Sequence, residues 1–259
     1  MAGVTEQYAR LPEDWAPQAD SLRERIVLIV GASGGLGRAS ALAAAKAGAN
    51  VVLLGRKVRA LEKVYDEIVA LNLAAPALYP LDLSGATPRD YEELATTIER
   101  EYRRLDGIVH AAAHFDGLRP ASEIAPEEWM RALHVNLTAP FLMTQACLPL
   151  LQTAADASVV FVLDDPARMG KAYWGGYGAA KHAVAGIASI LHEETENSSV
   201  RVHALLPAPM RTALRRTAYF GENTLALPTP DASAAAVVYL LGAQGSAARG
   251  RTLDLRRPH

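Results

Sequence analysis

The chain contains one cysteine, Cys147, in 259 residues. A lone thiol excludes an internal disulfide and suits a reducing compartment. It stands in the apolar helical text FLMTQACLPLL, where a buried structural thiol is expected rather than a nucleophile. Aromatic residues are scarce, at 6%. No run of 18 apolar residues occurs, so no membrane-spanning helix is predicted. A basic-then-apolar leader is also missing at the amino terminus. Neither sign of charge prevails: Lys and Arg number 26, Asp and Glu 28, for a net charge of −2. That balance exerts no general pull on nucleic acid or on an anionic membrane. The seven histidines (110, 114, 134, 182, 192, 203 and 259) form no HExxH-like spacing, so no metal is predicted. What these absences leave is a cytoplasmic globular protein with neither a nucleic-acid nor a membrane partner.

What is present is a regular alternation. The first 21 residues read as a polar arm, and residues 22–259 as one domain. Short runs rich in Val, Leu and Ile occur at 26–30, 50–55, 77–83, 107–113, 158–163 and 200–206, with a last short one, TLDL, at 252–255. Helical patterns lie between them at 36–47, 58–71, 88–102, 126–151 and 177–196. Continuous apolar strands separated by helices imply a parallel sheet covered on both faces. With right-handed crossovers this predicts a single-domain α/β protein with a Rossmann-type, doubly wound parallel sheet. Residues 213–230 form the one long irregular segment.

Directly after the first strand comes Gly31-Ala-Ser33-Gly34-Gly35-Leu36-Gly37, opening a helix. Glycines let the backbone approach a pyrophosphate closely, and a helix N-terminus offers free N–H groups and a positive dipole end. The second strand ends in Gly55-Arg56-Lys57. An acid there would hold the adenosine ribose hydroxyls, whereas a base accepts a 2′-phosphate, so NADP(H) is favoured over NAD(H). The alternative is that Arg56 and Lys57 are a solvated helix start. Asp82, after the third strand, either contacts the adenine edge or caps the strand end.

The segments LLGR, RLDGIVH, a VN within the long central helix, MTQACLPLL and WGGYGAAK together resemble the short-chain dehydrogenase/reductase family, in particular its YciK-type bacterial oxidoreductases, over about Leu22 to Leu255. The resemblance implies further cofactor contacts at Leu83, Ala111, Pro207 and Thr212. It also implies a mobile substrate lid at 213–230 and a homodimer or homotetramer formed through the helices at 126–151 and 177–196. In that family an Asn, a Ser, a Tyr and a Lys form the site. Asn136, Tyr177 and Lys181 match three of them, Asn136 as the residue that kinks the helix and carries a relay water. A tyrosine, with pKa about 10, needs a neighbouring ammonium to shuttle protons near neutrality, and four residues along a helix place Lys181 on the same face.

The serine is missing. Its position, thirteen residues before the tyrosine, is Asp164, and no Ser or Thr occurs from Val159 to Ala188. An ionised Asp164 cannot donate to a substrate oxygen and would raise the tyrosine pKa. A protonated one could donate, and one turned away to cap the following turn would leave the site without a donor. Other departures are Val30 before the turn, Ala111-Ala112-Ala113 after His110, and Pro207-Ala208 after the sixth strand. His110 and His114 flank the expected rim. Tyr173 and Trp174 either wall the substrate pocket or pack in the core, and Arg215 and Arg216 read as a solvated pair. Two functions follow: an NADP(H)-dependent oxidoreductase acting on a small carbonyl or alcohol, with Asp164 in place of the serine, or a nucleotide-binding pseudoenzyme acting by binding or assembly.

Overall fold

The computed structural model describes residues 8–256. Its strands are β1 (Tyr8–Ala9), β2 (Ile26–Val30), β3 (Asn50–Gly55), β4 (Ala77–Pro80), β5 (Gly107–His110), β6 (Ala157–Val162), β7 (Val200–Leu206) and β8 (Thr252–Asp254). They form one sheet in the order β1-β8-β7-β6-β5-β2-β3-β4, with every pairing parallel. All five residues of β2 and all seven of β7 are buried, as strands covered on both faces must be. The chain runs outward from β2 to β3 and β4, then returns to β5 on the other side of β2. At that reversal the loops diverge and open a crevice over the C-terminal strand ends.

Helices α1 (Gly35–Lys46), α2 (Val58–Ala70) and α9 (Asp231–Leu241) cover one face of the sheet. Helices α3 (Pro88–Tyr102), α5 (Ala139–Gln152) and α7 (Gly175–Thr195) cover the other. Cys147 is fully buried on α5, and burial pushes its thiol up to about 12. The short helices are α4 (Pro126–Leu133), α6 (Pro166–Met169) and α8 (Ala213–Ala218), of which α8 lines the crevice. No helix among the described residues is long and apolar enough to cross a membrane.

Three features of these elements matter for the site. The central helix is broken by a π-helical turn at His134–Thr138. There Asn136 Nδ2 donates to Ala132 O at 2.8 Å, the carbonyl that an α-helix would offer to the N–H of residue 136. The third and fourth apolar runs leave the sheet early, at Pro80 and His110, and their remaining residues, Leu81–Leu83 and Ala111–Ala113, become crevice wall. Within the segment before residue 22, Tyr8–Ala9 pair with β8 as β1, and Trp15 packs edge-on to Tyr239 at 5.2 Å. Two paired residues and isolated apolar side chains carry no periodicity, which is why this segment reads as polar.

Gly31 has φ +83°, and a Cβ there would lie 2.6 Å from Ala112 Cα and N. Gly31→Ala therefore forces both a left-handed backbone and a backbone clash. It should cost about 2–3 kcal/mol, read as a thermal midpoint lower by roughly 5–10 °C.

Candidate active site

The crevice is a cleft of about 640 Å³. Its middle is the glycine turn. Gly31 closes against Ala112, and a side chain on Gly35 would lie 2.7 Å from Thr212 Cγ2. Helix α1 starts there with no side-chain cap and no acid in its first turn, so its free N–H groups and positive end face the cleft. Gly31, Ser33, Gly34, Gly35 and Leu36 line the cleft, as do Ala111, Pro207 and Thr212. Gly37 does not: a Cβ there would lie 2.1 Å from Gly31 O, so its role is to let α1 start against the turn. A bare turn with an uncapped helix end beneath it fits the pyrophosphate of a dinucleotide.

One end of the cleft carries Arg56 and Lys57, with Asp82 and Leu83 beside them. Asp82 Oδ1 accepts the Ser84 N–H at 3.0 Å. That bond holds its carboxyl below the usual range, and Arg56 adds to the effect. The capping reading of Asp82 therefore describes its geometry, although the residue still forms part of the wall.

The other end is where Asp164 leaves β6. Its Oδ1 accepts the Asp165 N–H at 2.7 Å, and its Oδ2 accepts the Tyr177 hydroxyl at 2.8 Å. The helix-capping role falls instead to Asp165, whose Oδ1 accepts Ala167 N–H at 3.1 Å at the start of α6. Tyr177 lies in the first turn of α7, buried, and burial together with Asp164 raises its pKa well above 10. Lys181 follows one turn later and donates from Nζ to Val162 O at 2.8 Å, with Nζ 5.7 Å from the Tyr177 ring centroid. Burial lowers its pKa to about 8, against the opposing pull of Asp164. Glycines permit this placement: a Cβ on Gly178 would lie 2.5 Å from Met169 O, so α7 can begin tightly against α6.

Asn136 is buried but does not line the cleft. Its Oδ1 accepts His114 N–H at 2.9 Å and its Nδ2 donates to His114 O at 2.8 Å, so it clamps the loop after β5. The two rim histidines separate. His114 lines the cleft, whereas His110 is buried beneath it, stacked on Phe161 at 4.9 Å and bonded to Thr144 Oγ1 at 2.8 Å. Burial, with Lys181 adding, lowers the His110 pKa to about 3. Trp174 is core rather than wall, packed between Phe115, Tyr177 and Tyr219, while Tyr173 is exposed.

The expected solvated pair, Arg215 and Arg216, also divides. Arg216 is exposed, but Arg215 binds Glu222 through two bonds of 2.7 Å and lies 3.8 Å over the Tyr219 ring. An acid seven residues away on an irregular segment meets no helical spacing rule, so sequence alone does not reveal the pair. Arg256 was missed for a similar reason. It lines the cleft, meets Asp165 at 2.8 Å and bridges to Asp254, so it ties the end of β8 to the loop after β6, 91 residues away. Among the described residues no group of three or more His, Cys, Asp or Glu side chains could hold a metal ion; His259 lies outside them.

Lys181 supplies a stability test. The folded state releases its proton near pH 8, the unfolded chain only near 10.5, so between these values the unfolded state binds more protons and stability rises with pH. Tyr177, with its raised pKa, acts in the opposite sense above about pH 10. Urea unfolding should therefore show wild-type stability increasing between about pH 8 and 9, above which the buried Cys147 thiol opposes the gain, and the increase should be absent in Lys181→Met.

The family model for short chain dehydrogenase matches residues 25–222. The uncharacterized oxidoreductase YciK of Escherichia coli (strain K12) is 36% identical over 240 residues, 93% of this chain and 95% of that protein. A short chain dehydrogenase of Escherichia coli CFT073 complexed with NADPH superposes with a TM-score of 0.88 at 37% identity, covering 92% of this chain and 99% of its own. One from Shigella flexneri 2a str. 301 complexed with NADP gives 0.87 at 36% identity, with the same coverage. On this cleft, this sheet order and these matches, the chain belongs to the short-chain dehydrogenase family of oxidoreductases.

Proposed function

We propose that the chain uses NADP(H) in preference to NAD(H) and interconverts a carbonyl and an alcohol on a small molecule, with Tyr177 exchanging the proton. The observation that carries this reading is that Tyr177 and Lys181 meet at one end of a cleft whose other end carries Arg56 and Lys57. No acid stands at the end of β3 to hold a ribose diol, and the NADPH and NADP bound by the two relatives support the same choice. The glycine turn and α1 would hold the pyrophosphate, Arg56 the 2′-phosphate, and Pro207 and Thr212 the nicotinamide end. Bound there, the nicotinamide supplies or accepts a hydride.

The protein's own part is the proton. In reduction the Tyr177 hydroxyl turns from Asp164 to the substrate oxygen and releases its proton to it. Lys181 offsets the phenolate left behind, and Asn136 keeps the facing loop in register. Exposed Trp129 and Met130 on α4, and Ile190 on α7, support assembly of copies of the chain through those helices.

A second reading, a nucleotide-binding pseudoenzyme, draws on one bond. Tyr177 donates its proton towards a carboxylate where family members have a serine, and that carboxylate makes the phenolate harder to form. Asp164→Ser removes the opposing charge. It should raise NADPH-dependent carbonyl reduction about tenfold, the equivalent of one pKa unit at the phenol. A fall in rate would make Asp164 a working acid, and turnover absent from both proteins would favour the pseudoenzyme. Arg56→Glu should weaken NADPH binding by an order of magnitude or more, measured by calorimetric titration, and leave NADH nearly unchanged. Equal losses for both would remove the basis for choosing NADP(H).

A further inference from the structure

A carbonyl oxygen that gains charge needs a hydrogen-bond donor besides the group that protonates it. Asp164 does not fill this role, because its two oxygens accept from Asp165 N–H and from Tyr177. Six buried side-chain polar atoms among the described residues lack a hydrogen-bond partner: on Ser40, Tyr91, His110, His192, Tyr219 and Arg249. Of these residues, Tyr219 alone lines the cleft that holds Tyr177 and Asp164.

Its ring is held firmly. Helix α8 is capped by Thr212, whose Oγ1 accepts Arg215 N–H at 3.1 Å, and it delivers Tyr219 at its C-terminal end. Arg215 lies 3.8 Å from the ring centroid and Arg168, on α6, 5.2 Å. Trp174 packs 5.8 Å from Tyr219 and 5.9 Å from Tyr177, so the two phenols share one aromatic cluster. Guanidinium groups only donate, so neither arginine takes up the hydroxyl proton. Burial raises the Tyr219 pKa, which keeps that proton in place near neutrality. The Thr212 hydroxyl is engaged as the α8 cap, and its Cγ2 faces Gly35 at the phosphate turn.

We propose that the Tyr219 hydroxyl is the donor to the substrate oxygen, taking the part that a serine at position 164 would have played. The inference rests on the oxidoreductase reading above. In reduction the carbonyl carbon receives the hydride and the C=O π pair moves to oxygen, which takes its proton from Tyr177. Tyr219 keeps its own proton and only hydrogen-bonds the growing charge.

The test measures NADPH consumption by the full-length protein with benzaldehyde, acetophenone and cyclohexanone as probes. Tyr219→Phe keeps the ring and its cation–π contacts, so NADPH affinity and KM for the carbonyl should hold. Its kcat should fall on the order of 10²-fold. In an Asp164→Ser background, where a serine donor is restored, the same change should cost less than about tenfold. Tyr219→Phe as active as wild type, with Tyr219→Ala impaired, would make Tyr219 a packing residue and overturn the proposal while leaving the oxidoreductase reading intact. No turnover of any probe by a wild-type protein that binds NADPH would overturn both.

Discussion

The bond from the Tyr177 hydroxyl to Asp164 Oδ2, 2.8 Å long, joins the end of β6 to the first turn of α7 on the wall of the cleft. Both groups are fixed by backbone demands before chemistry enters. Asp164 lies just past the end of the largely apolar strand β6, and Tyr177 lies where a glycine-rich helix start packs beneath α6. A phenol and a carboxylate brought together this way form one hydrogen bond, with the phenol donating, and the Lys181 side chain lies one turn further on against the phenol ring. The rest of the chemical end follows: a phenol reluctant to ionise, a lysine readier than usual to lose its proton, and a need for a separate donor to substrate.

The supports of this pair are spread around the cleft. Asn136 spends its whole side chain on the π-turn and the His114 backbone, which exchanges helix regularity for a fixed wall. Asp165 ties the strand end to Arg256, and Arg256 to Asp254. Arg215, Glu222 and Tyr219 hold α8 over the site. All of these groups lie at least twelve residues from Tyr177 in sequence, yet together they fix the walls around it.

How far the sequence discloses all this depends on the kind of signal. Apolar runs such as Ile26–Val30 reveal strands because burial on both faces selects apolar side chains, and Gly31 and Gly37 reveal the turn because a side chain there would strike backbone. The order Tyr177-x-x-x-Lys181 reveals a shared helix face. Asp164 is conspicuous as a substitution, but three orientations were open to it, and a side-chain torsion decides among them. The Arg215–Glu222 pair, the burial of His110 and the place of Arg256 depend on contacts between distant or irregular segments. No spacing rule encodes those contacts, so only the folded chain shows them.

The pairing of β1 with β8 has a kinetic side. Arg10 donates to Asp254 O and Arg256 O across 244 and 246 residues, among the longest sequence separations in the molecule. During synthesis the first strand emerges long before its partner, and closing so large a loop is slow. The anchor that Arg256 provides for Asp165 sits on the far side of that loop, so the end of the cleft at β6 is tied to the slowest closure in the sheet.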